Sequence, residues 1–408
     1  MHNQLIVYMS KLFALKGKIQ NYAWGGTEYI SELLGKTADE KRCAEYWLGA
    51  HVNAPSILKT SEGNQSLDTF LNSNLTEGLG VEISEKFGRL PFLFKVLDVK
   101  DMLSIQVHPT KIEAEKGFKR ENERGVPLTA FNRNYKDDNH KPEIMVALSE
   151  FWLLHGFLPK SQLTQVLKDV PEFESLLSVF EQGGYYGLYE SVMEQSADET
   201  NQMLQPLIDR ILPFYKDGKL EKSSPDYWAA KAFETFCPNG DLDKGIFSVY
   251  FFNIVKADKG EAVFQDAGIP HAYLEGQNME LMANSDNVLR GGLTPKHVDV
   301  PELLKHVAFE ETVPNVMPGE AQPDGVERIY KSPAPDFELS QITLTDAKVY
   351  NSKAKTAQVL MTIEGEAQVT EGESMLNLSK GDAAFLTAGS EYQITSSSSV
   401  IIYKATAP

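Results

Sequence analysis

Apolar and polar residues alternate from Leu103 to Pro109, a period of two that predicts a β-strand with one polar face. In this register Gln106 and His108 project to the same side of the strand. The preceding run Leu90–Leu97 is mostly apolar, and a polar pair beside it is costly to bury unless hydrogen bonds or a metal ion satisfy it. From these residues alone, a hydrogen-bonded pair and a pair of metal ligands both remain open.

Two further strand patterns occur near the start of the chain. Lys18–Gly26 ends in an aromatic residue and a Gly–Gly turn, and Ala44–Ser56 alternates with small residues between the larger ones. Trp24 either packs under its turn or lines the mouth of a site, so it is a candidate substrate contact. His51 is more typical of a structural histidine than of a metal ligand.

Three polar residues, His140, Lys141 and Glu143, stand directly before Ile144–Leu148, an apolar run that predicts a buried strand. Charged groups at the entrance of a core strand are expensive unless they serve a purpose. Glu143 can complete a metal set with the polar pair of the first strand, and His140 and Lys141 can carry proton transfer.

The apolar period changes from Pro159 to about Gly240, where spacings of three and four residues predict an all-α insertion. Ser196 begins a capping box, and a serine before Pro225 is typical of a helix start. The insertion carries no catalytic constellation, so it is expected to border a substrate cleft. The apolar run Ile246–Val255 predicts a return to strand.

The chain also contains an internal repeat. Lys259–Gly268 matches Lys380–Gly389 at most positions and at a constant offset, and each copy has the pattern of a turn, a strand and a turn. Such a repeat predicts two related antiparallel barrels of the jelly-roll kind. At the same offset His271 corresponds to Tyr392, so only the first copy keeps a potential ligand there.

Composition excludes several classes of function. The 408 residues carry a formal net charge of −18, which argues against general binding to nucleic acid or membrane surfaces. Cys43 and Cys237 are too few for a disulfide framework or a thiolate zinc site. A metal would therefore be held by His, Glu, Asp or Gln, and a reducing cytoplasm is expected.

No apolar run is long enough to cross a bilayer, and Leu5–Tyr8 is too short for the core of a signal peptide. Met9 is an alternative natural start, which would make the first eight residues an upstream extension.

The densest polar constellation is Asn284–Asn287 followed by Arg290 and a Gly–Gly pair. From composition alone, a surface turn and part of a site are equally good interpretations.

With these stretches the chain resembles the type I mannose-6-phosphate isomerases, also called phosphomannose isomerases. The matching blocks follow the family's order between residue 18 and about residue 300: Gln20–Gly25, Leu48–His51, Asn53–Ser56, Ser104–Pro109, Asn139–Glu143, Pro270–Tyr273 and Asn284–Arg290. Tyr46-Trp47 and the loop 121–134 depart from the family's pattern, and neither carries a ligand.

The resemblance implies a zinc enzyme that interconverts mannose 6-phosphate and fructose 6-phosphate, for mannose catabolism or GDP-mannose synthesis. It implies one zinc per chain, with Gln106, His108, Glu143 and His271 as ligands, and Arg290 as a catalytic residue. The fold is then mainly β, with two cupin-like jelly-roll barrels plus an all-α domain. The expected domains are a catalytic cupin in two parts (1–158 and 246–320), the helical insertion (159–245) and a C-terminal cupin-like domain without metal (321–408).

An aldose–ketose shift through an enediol needs an electrophile, a base and a phosphate clamp. Arg290 can stabilise the enediolate charge, because a guanidinium does not lose its proton. Several other residues are candidates without a choice among them. For the base and ring opening these are Lys141, His140 and Glu280; for phosphate Ser104, Lys95 and Lys296; and for other substrate contacts Trp24 and Asp286.

Two other classes of function remain open. A cupin oxygenase would prefer iron and a set of two histidines and one carboxylate, against which the amide of Gln106 counts. A non-catalytic sugar-phosphate-binding cupin would need neither Arg290 nor Lys141. The expected partner is a small sugar phosphate rather than nucleic acid or membrane, and the protein is expected to be a monomer.

Overall fold

The computed structural model of the protein describes residues 10–38, 40–345 and 348–408. The segment Leu5–Tyr8 and the alternative start at Met9 lie outside the described residues. The chain divides into two compact units. The first unit comprises Met1–Asp98, Met279–Asn284 and Pro318–Pro408, and the second unit comprises Val99–Asn278 and Ser285–Met317.

The second unit combines short antiparallel strands with most of the helices. Its strands are Gln106–Val107, Glu143–Ala147, Phe151–Phe157, Phe252–Ala257, Ala262–Gln265, Leu289–Arg290 and the first part of His271–Ala283. Its helices are Lys111–Glu123, Lys160–Asp169, Glu174–Met193, Ala197–Lys216, Pro225–Phe236, Gly245–Phe251 and Val300–His306, with a 3₁₀ turn at Pro171–Phe173.

The predicted helical segment is present, and its start signals act as the sequence predicts. The Ser196 side chain accepts from the N–H of Glu199, whose carboxylate accepts from the N–H of Ser196, which forms the capping box. Pro225 occupies the first turn of its helix. These helices share one hydrophobic cluster with the strands, in which Leu204 and Trp228 belong to the same core as Leu154 of Phe151–Phe157.

One predicted strand is wrong over most of its length. The run predicted as a strand from Ile246 to Val255 begins with the helix Gly245–Phe251, and the strand starts only at Phe252. Every residue of that helix is buried. A run that is apolar on all sides has no periodicity to separate a buried helix from a buried strand.

The first unit is mainly β. Its strands are Leu12–Lys16, Lys18–Gln20, Glu45–Leu48, Ile57–Thr60, Gly63–Ser66, Phe92–Val99, Glu320–Ala321, Glu327–Tyr330, Glu338–Leu344, Val349–Lys353, Gln358–Glu364, Glu366–Glu371, Ser374–Ser379, Ala383–Leu386, Glu391–Thr395 and Val400–Thr406. Its helices are Tyr29–Leu33, Leu67–Ser73, Leu75–Leu79 and Val81–Phe87.

The C-terminal strands from Glu327 onward, here called the C-terminal domain, form two sheet layers. Glu338–Leu344, Val400–Thr406, Gln358–Glu364 and Ala383–Leu386 are neighbours in one sheet, and Val349–Lys353 pairs with Glu391–Thr395 in the other. A shared apolar cluster that includes Val369 and Ile402 fills the space between them. This arrangement agrees with the predicted jelly-roll character.

Among the described residues, no helix has both the length and the apolar character that crossing a membrane would require.

Candidate metal centre and active site

Three of the predicted ligands meet in the second unit. His108, Glu143 and His271 offer ligand atoms that all lie within 4.8 Å of one another. Nε2 of His108 is 3.5 Å from Oε1 of Glu143, and Nε2 of His271 is 3.4 Å from Oε2 of the same carboxylate. All three side chains are buried. The structure therefore brings together residues that lie far apart in the sequence.

Main-chain carbonyls orient both imidazoles. Nδ1 of His108 lies 2.8 Å from the carbonyl oxygen of Asn287, and Nδ1 of His271 lies 2.8 Å from that of Ile269. With Nδ1–H donating, each Nε2 carries a lone pair toward Glu143. Neither Nε2 atom has a hydrogen-bond partner, although both are buried. Two orphaned nitrogens facing one carboxylate fit a divalent cation such as Zn²⁺.

The protonation states favour metal binding. Burial lowers the pKa of His108 to about 4, and the positive charge of Lys141 also lowers it. Burial acts to raise the pKa of Glu143, but Lys141 and His108 outweigh it and hold this pKa well below its ordinary value. At neutral pH His108 is a neutral donor and Glu143 a carboxylate, which are the forms that coordinate a metal.

Strand register places the fourth predicted ligand and the predicted catalytic arginine beside this centre. Gln106 is paired with His271 on one side and with Arg290 on the other. Neighbouring side chains on one rung of a sheet share a face and lie about 5 Å apart at their Cβ atoms. Gln106 and Arg290 thus lie on the rung of His271, and Ser104 precedes Gln106 by two residues.

Lys141 contacts the carboxylate of the metal cluster. Its Nζ atom lies 2.8 Å from Oε1 of Glu143, and both side chains are buried. His140, its neighbour in sequence, is half-buried. The side chain of Lys141 thus lies directly against the carboxylate of the metal cluster.

The positive charge of Arg290 acts on two lysines, Lys296 and Lys136. Burial and the charge of Arg290 both lower the pKa of Lys296. Burial lowers the pKa of Lys136 too, with smaller contributions from Arg133 and Arg290. The charge of Arg290 thus acts on both lysines, while Glu121 and Asp286 act on the pKa of Lys136 in the opposite direction, so this region is a candidate for binding an anion. Lys136 is missing from the sequence-based candidates because it lies in a polar loop with no distinctive pattern.

Asp286 and Asn287 differ sharply in exposure. The Asp286 side chain is exposed, and its N–H donates to Oδ2 of Asp137 at 2.7 Å. Asn287 is 1% exposed and makes several hydrogen bonds to the loop that contains Asp137. Asp286 is the predicted substrate contact of this stretch, whereas Asn287 is not among the predicted site residues.

Lys95, Glu280 and Trp24 belong to the first unit. Nζ of Lys95 donates to Oε2 of Glu280 at 2.7 Å and lies 3.8 Å from Glu45, and all three side chains are buried. Glu45 also accepts from the indole N–H of Trp47. Glu45 is a third residue absent from the sequence-based candidates, since one glutamate in a strand pattern gives no signal.

Trp24 and His51 are aromatic candidates of the first unit. Trp24 is half-buried and stacks on Tyr22 with ring centroids 5.9 Å apart. His51 packs edge-on against Trp47, and its Nδ1 accepts from the N–H of Asn53 at 3.3 Å. This contact pattern agrees with the structural interpretation of His51.

Comparisons with known proteins point to one family. The model of the phosphomannose isomerase type I catalytic domain matches residues 12–160, and that of the mannose-6-phosphate isomerase cupin domain matches residues 327–404. The mannose-6-phosphate isomerase of Escherichia coli (strain K12) is 36% identical over 383 residues, covering 92% of this chain and 94% of the relative. Mannose-6-phosphate isomerase 2 of Arabidopsis thaliana is 34% identical, with 95% and 91% covered.

Solved structures agree with these relatives. A zinc-bound crystal structure of mannose 6-phosphate isomerase matches with a TM-score of 0.87 and 34% identity, covering 98% of this chain and all of that one. The Salmonella typhimurium enzyme bound to its substrate fructose 6-phosphate and zinc matches with a TM-score of 0.86 and 33% identity, with the same coverage.

Proposed function

This chain belongs to the type I phosphomannose isomerase family, and we propose on this premise that it interconverts D-mannose 6-phosphate and D-fructose 6-phosphate with one zinc ion per chain. The observation that carries the proposal is the meeting of His108, Glu143 and His271, with both Nε2 atoms unpartnered and directed at one carboxylate. Gln106 supplies the fourth ligand from the rung of His271.

Zinc bound by two imidazoles, an amide and one carboxylate keeps positive charge and supplies a Lewis acid for the sugar oxygens. The chain's own residues then have to open the sugar ring and move a proton between neighbouring carbons. Lys141 is held 2.8 Å from Glu143, which suits a proton donor at the sugar oxygens. His140 and Glu280 remain the other candidates for the base and for ring opening.

Arg290 and Lys296 are proposed to face the negative charges of the substrate. Arg290 lies on the rung of Gln106, so its guanidinium can stabilise charge on the enediolate oxygens. Lys296 is close enough to Arg290 for the arginine's charge to lower its pKa, so the two cations can bind the phosphate together. Lys136 is subject to the same charge and can add to this phosphate clamp. Ser104 is a further phosphate candidate of the second unit. Lys95, Trp24 and Asp286 stay candidate substrate contacts.

Metal analysis of the purified protein, combined with turnover of fructose 6-phosphate, tests the proposal. We expect zinc at one per chain, loss of turnover on exhaustive chelation, and recovery when zinc is returned. Iron with oxygen consumption would indicate a cupin oxygenase instead. Substrate binding without turnover in the zinc-loaded protein would indicate a binding protein.

The predicted organisation also enters as a proposal: a catalytic cupin in two parts, a helical insertion and a C-terminal cupin-like domain without metal. We infer a cytoplasmic location, supported by Cys43 and Cys237, which are both free and buried, and we propose that the protein is a monomer. Sedimentation of the purified protein at several concentrations tests the oligomeric state.

A further inference from the structure

Asn287 connects two of the chain segments that build the metal centre, those of His108 and of the loop before Glu143. Its carbonyl oxygen lies 2.8 Å from Nδ1 of His108. Its side chain lies against the loop that leads into Glu143, and Arg290 follows it by three residues. Buried hydrogen bonds from the residue that orients a ligand are a common means of fixing the geometry of a metal site.

The side-chain amide of Asn287 is satisfied at both ends. Its Oδ1 accepts from the N–H groups of Lys136 and Asp137, at 2.7 and 3.2 Å. Its Nδ2 donates to the carbonyls of Asp137 and Asn139, at 2.8 and 2.9 Å, and to Oδ1 of Asp137 at 3.3 Å. One amide thus fixes the main chain of residues 136–139, immediately before His140.

The partners of Asn287 are themselves tied to the same loop. Oγ of Ser285 donates to Oδ1 of Asp137 at 2.8 Å and accepts from the N–H of Asn287 at 3.2 Å. Oδ2 of Asp137 accepts from the N–H of Asp286 at 2.7 Å. The position of the Asn287 carbonyl is therefore set by a closed network rather than by the strand that follows it.

We propose that Asn287 is a positioning residue that sets the zinc affinity of this protein, an inference that rests on the proposed function. Through its carbonyl it fixes the ring of His108, and through its amide it fixes the loop that delivers Glu143. Moving either ligand would separate nitrogen and carboxylate atoms that now lie 3.5 Å apart.

Asn253, in the same unit, is the control for a role of Asn287 in folding stability alone. Asn253 is also buried, and its Nδ2 donates to four carbonyls, those of His155, Gly156, Phe157 and Thr312, at 2.9 to 3.2 Å. These carbonyls belong to residues that are not metal ligands. Replacing either asparagine with Ala leaves buried main-chain groups unsatisfied, so both variants lose folding stability.

The test measures zinc affinity directly, by competition with a chelator of known affinity, on the full chain and its variants. Asn287→Ala should bind zinc about 10 to 100 times more weakly, the range typical of lost outer partners of metal ligands. Asn253→Ala should keep the wild-type zinc affinity. The visible spectrum of the Co²⁺-loaded protein should change in Asn287→Ala and not in Asn253→Ala, because only the first alters the ligand geometry.

Ser285→Ala is a milder change that keeps the inference testable if Asn287→Ala fails to fold. It removes the hydroxyl between Asp137 and the N–H of Asn287, so a smaller loss of zinc affinity in the same direction is expected. Unchanged zinc affinity and Co²⁺ spectrum in Ser285→Ala and in any folded Asn287→Ala would overturn the inference and leave the proposed function intact. A wild-type chain that binds no zinc would overturn both.

Discussion

The two copies of the internal repeat share their turn and strand geometry, but only the first copy has potential metal ligands beside it. Gly260 and Gly381 occupy corresponding turns with φ of 88° and 91°, a region that favours glycine. The carboxylates of Glu261 and Asp382 each accept from a main-chain N–H three residues earlier, at 2.8 and 2.9 Å. The strands Ala262–Gln265 and Ala383–Leu386 follow. The predicted repeat is therefore confirmed down to its hydrogen bonds.

Strand register extends the correspondence to every proposed ligand. His271 pairs with Gln106 as Tyr392 pairs with Ser352, and Gln265 pairs with Glu143 as Leu386 pairs with Gln358. The N–H of Gly268 donates to the carbonyl of His108 as the N–H of Gly389 donates to that of Ala354. The C-terminal domain thus has Ser352, Ala354, Gln358 and Tyr392 where the second unit has Gln106, His108, Glu143 and His271.

Two of the four corresponding residues in the C-terminal domain, Tyr392 and Gln358, form a hydrogen bond with each other. The hydroxyl of Tyr392 donates to Oε1 of Gln358 at 2.7 Å, and both residues are buried. Burial raises the pKa of Tyr392, which keeps its hydroxyl protonated and donating. The same scaffold therefore holds either a metal-binding set with orphaned nitrogens or a satisfied hydrogen bond. The chemistry resides in these four positions and not in the fold.

The largest expected effect comes from removing a proposed metal ligand that the C-terminal domain lacks. His271→Ala removes one of two imidazoles, so zinc retention should fall and turnover of fructose 6-phosphate should drop to that of the chelated protein. The control is Tyr392→Phe at the corresponding position, which should leave zinc content and turnover unchanged. Full zinc content in His271→Ala at equal free zinc would show that His271 is not a ligand. A second zinc per chain that disappears in Tyr392→Phe would show that the C-terminal domain also binds metal.

Arg290 is the next residue in this comparison, because it pairs with Gln106 and brings a positive charge to the same rung. If the guanidinium stabilises the enediolate, Arg290→Ala should lower kcat by roughly 10²-fold or more with zinc content unchanged. Arg290→Lys should recover little, since an ammonium lacks the planar fork. Steady-state kinetics with fructose 6-phosphate measures this. A raised KM with unchanged kcat would instead assign Arg290 to the phosphate.

The sequence predicts those parts of the molecule that depend on local pattern. The capping box at Ser196 and the repeat at Lys259–Gly268 each needs only a few neighbouring residues, and both are found in the structure. The strand predicted from alternation over Leu103–Pro109 is present only at Gln106–Val107. The helix Gly245–Phe251 was missed because uniform burial leaves no period to detect.

The missed site residues have a different cause. Asn287 and Lys136 acquire their roles from partners about 150 residues away, and Glu45 from a lysine in another strand. No local pattern marks such contacts, because tertiary structure alone brings the partners together. Resemblance to a family supplies the proposed ligands but not the residues that we propose hold them in place.

The C-terminal domain contains a buried ion pair, Lys404 with Glu327, and this gives a smaller, stability-based prediction. Nζ of Lys404 lies 2.6 Å from Glu327 and donates to the hydroxyl of Tyr350 at 2.8 Å, with the lysine and the glutamate almost fully buried. Lys404→Met leaves Glu327 without its cation and should lower the free energy of unfolding by about 3 kcal/mol. Urea unfolding measures this, and zinc content should not change.

Lys353, which pairs with Glu391 at 2.6 Å on the surface of the same domain, is the matched control. Because the side chains of Lys353 and Glu391 are both exposed, Lys353→Met should change the free energy of unfolding little. Equal losses in the two variants would mean that the Lys404 pair is not set apart by its burial.

The smallest expected effect concerns Glu302, a carboxylate of the second unit that is not among the proposed ligands. Glu302 contacts Arg120, Lys305, His306 and the hydroxyl of Tyr135, the last at 2.6 Å. Hydrogen bonding from His306 is the largest influence, and together with Lys305, Tyr135 and Arg120 it outweighs burial and lowers the pKa of Glu302 far below its ordinary value. The folded-state pKa is thus below the unfolded one, so the carboxylate stabilises the fold above about pH 4.5, and this stabilisation is lost as the pH falls toward the folded pKa.

Glu302→Gln should lower the free energy of unfolding by about 2 kcal/mol at pH 7 and by less at pH 3, as measured by urea unfolding. Glu113→Gln, at an exposed carboxylate paired with Lys116 at 2.7 Å, should change stability little at either pH. If Glu302→Gln costs as much at pH 3 as at pH 7, the ionised carboxylate is not the source of the stabilisation.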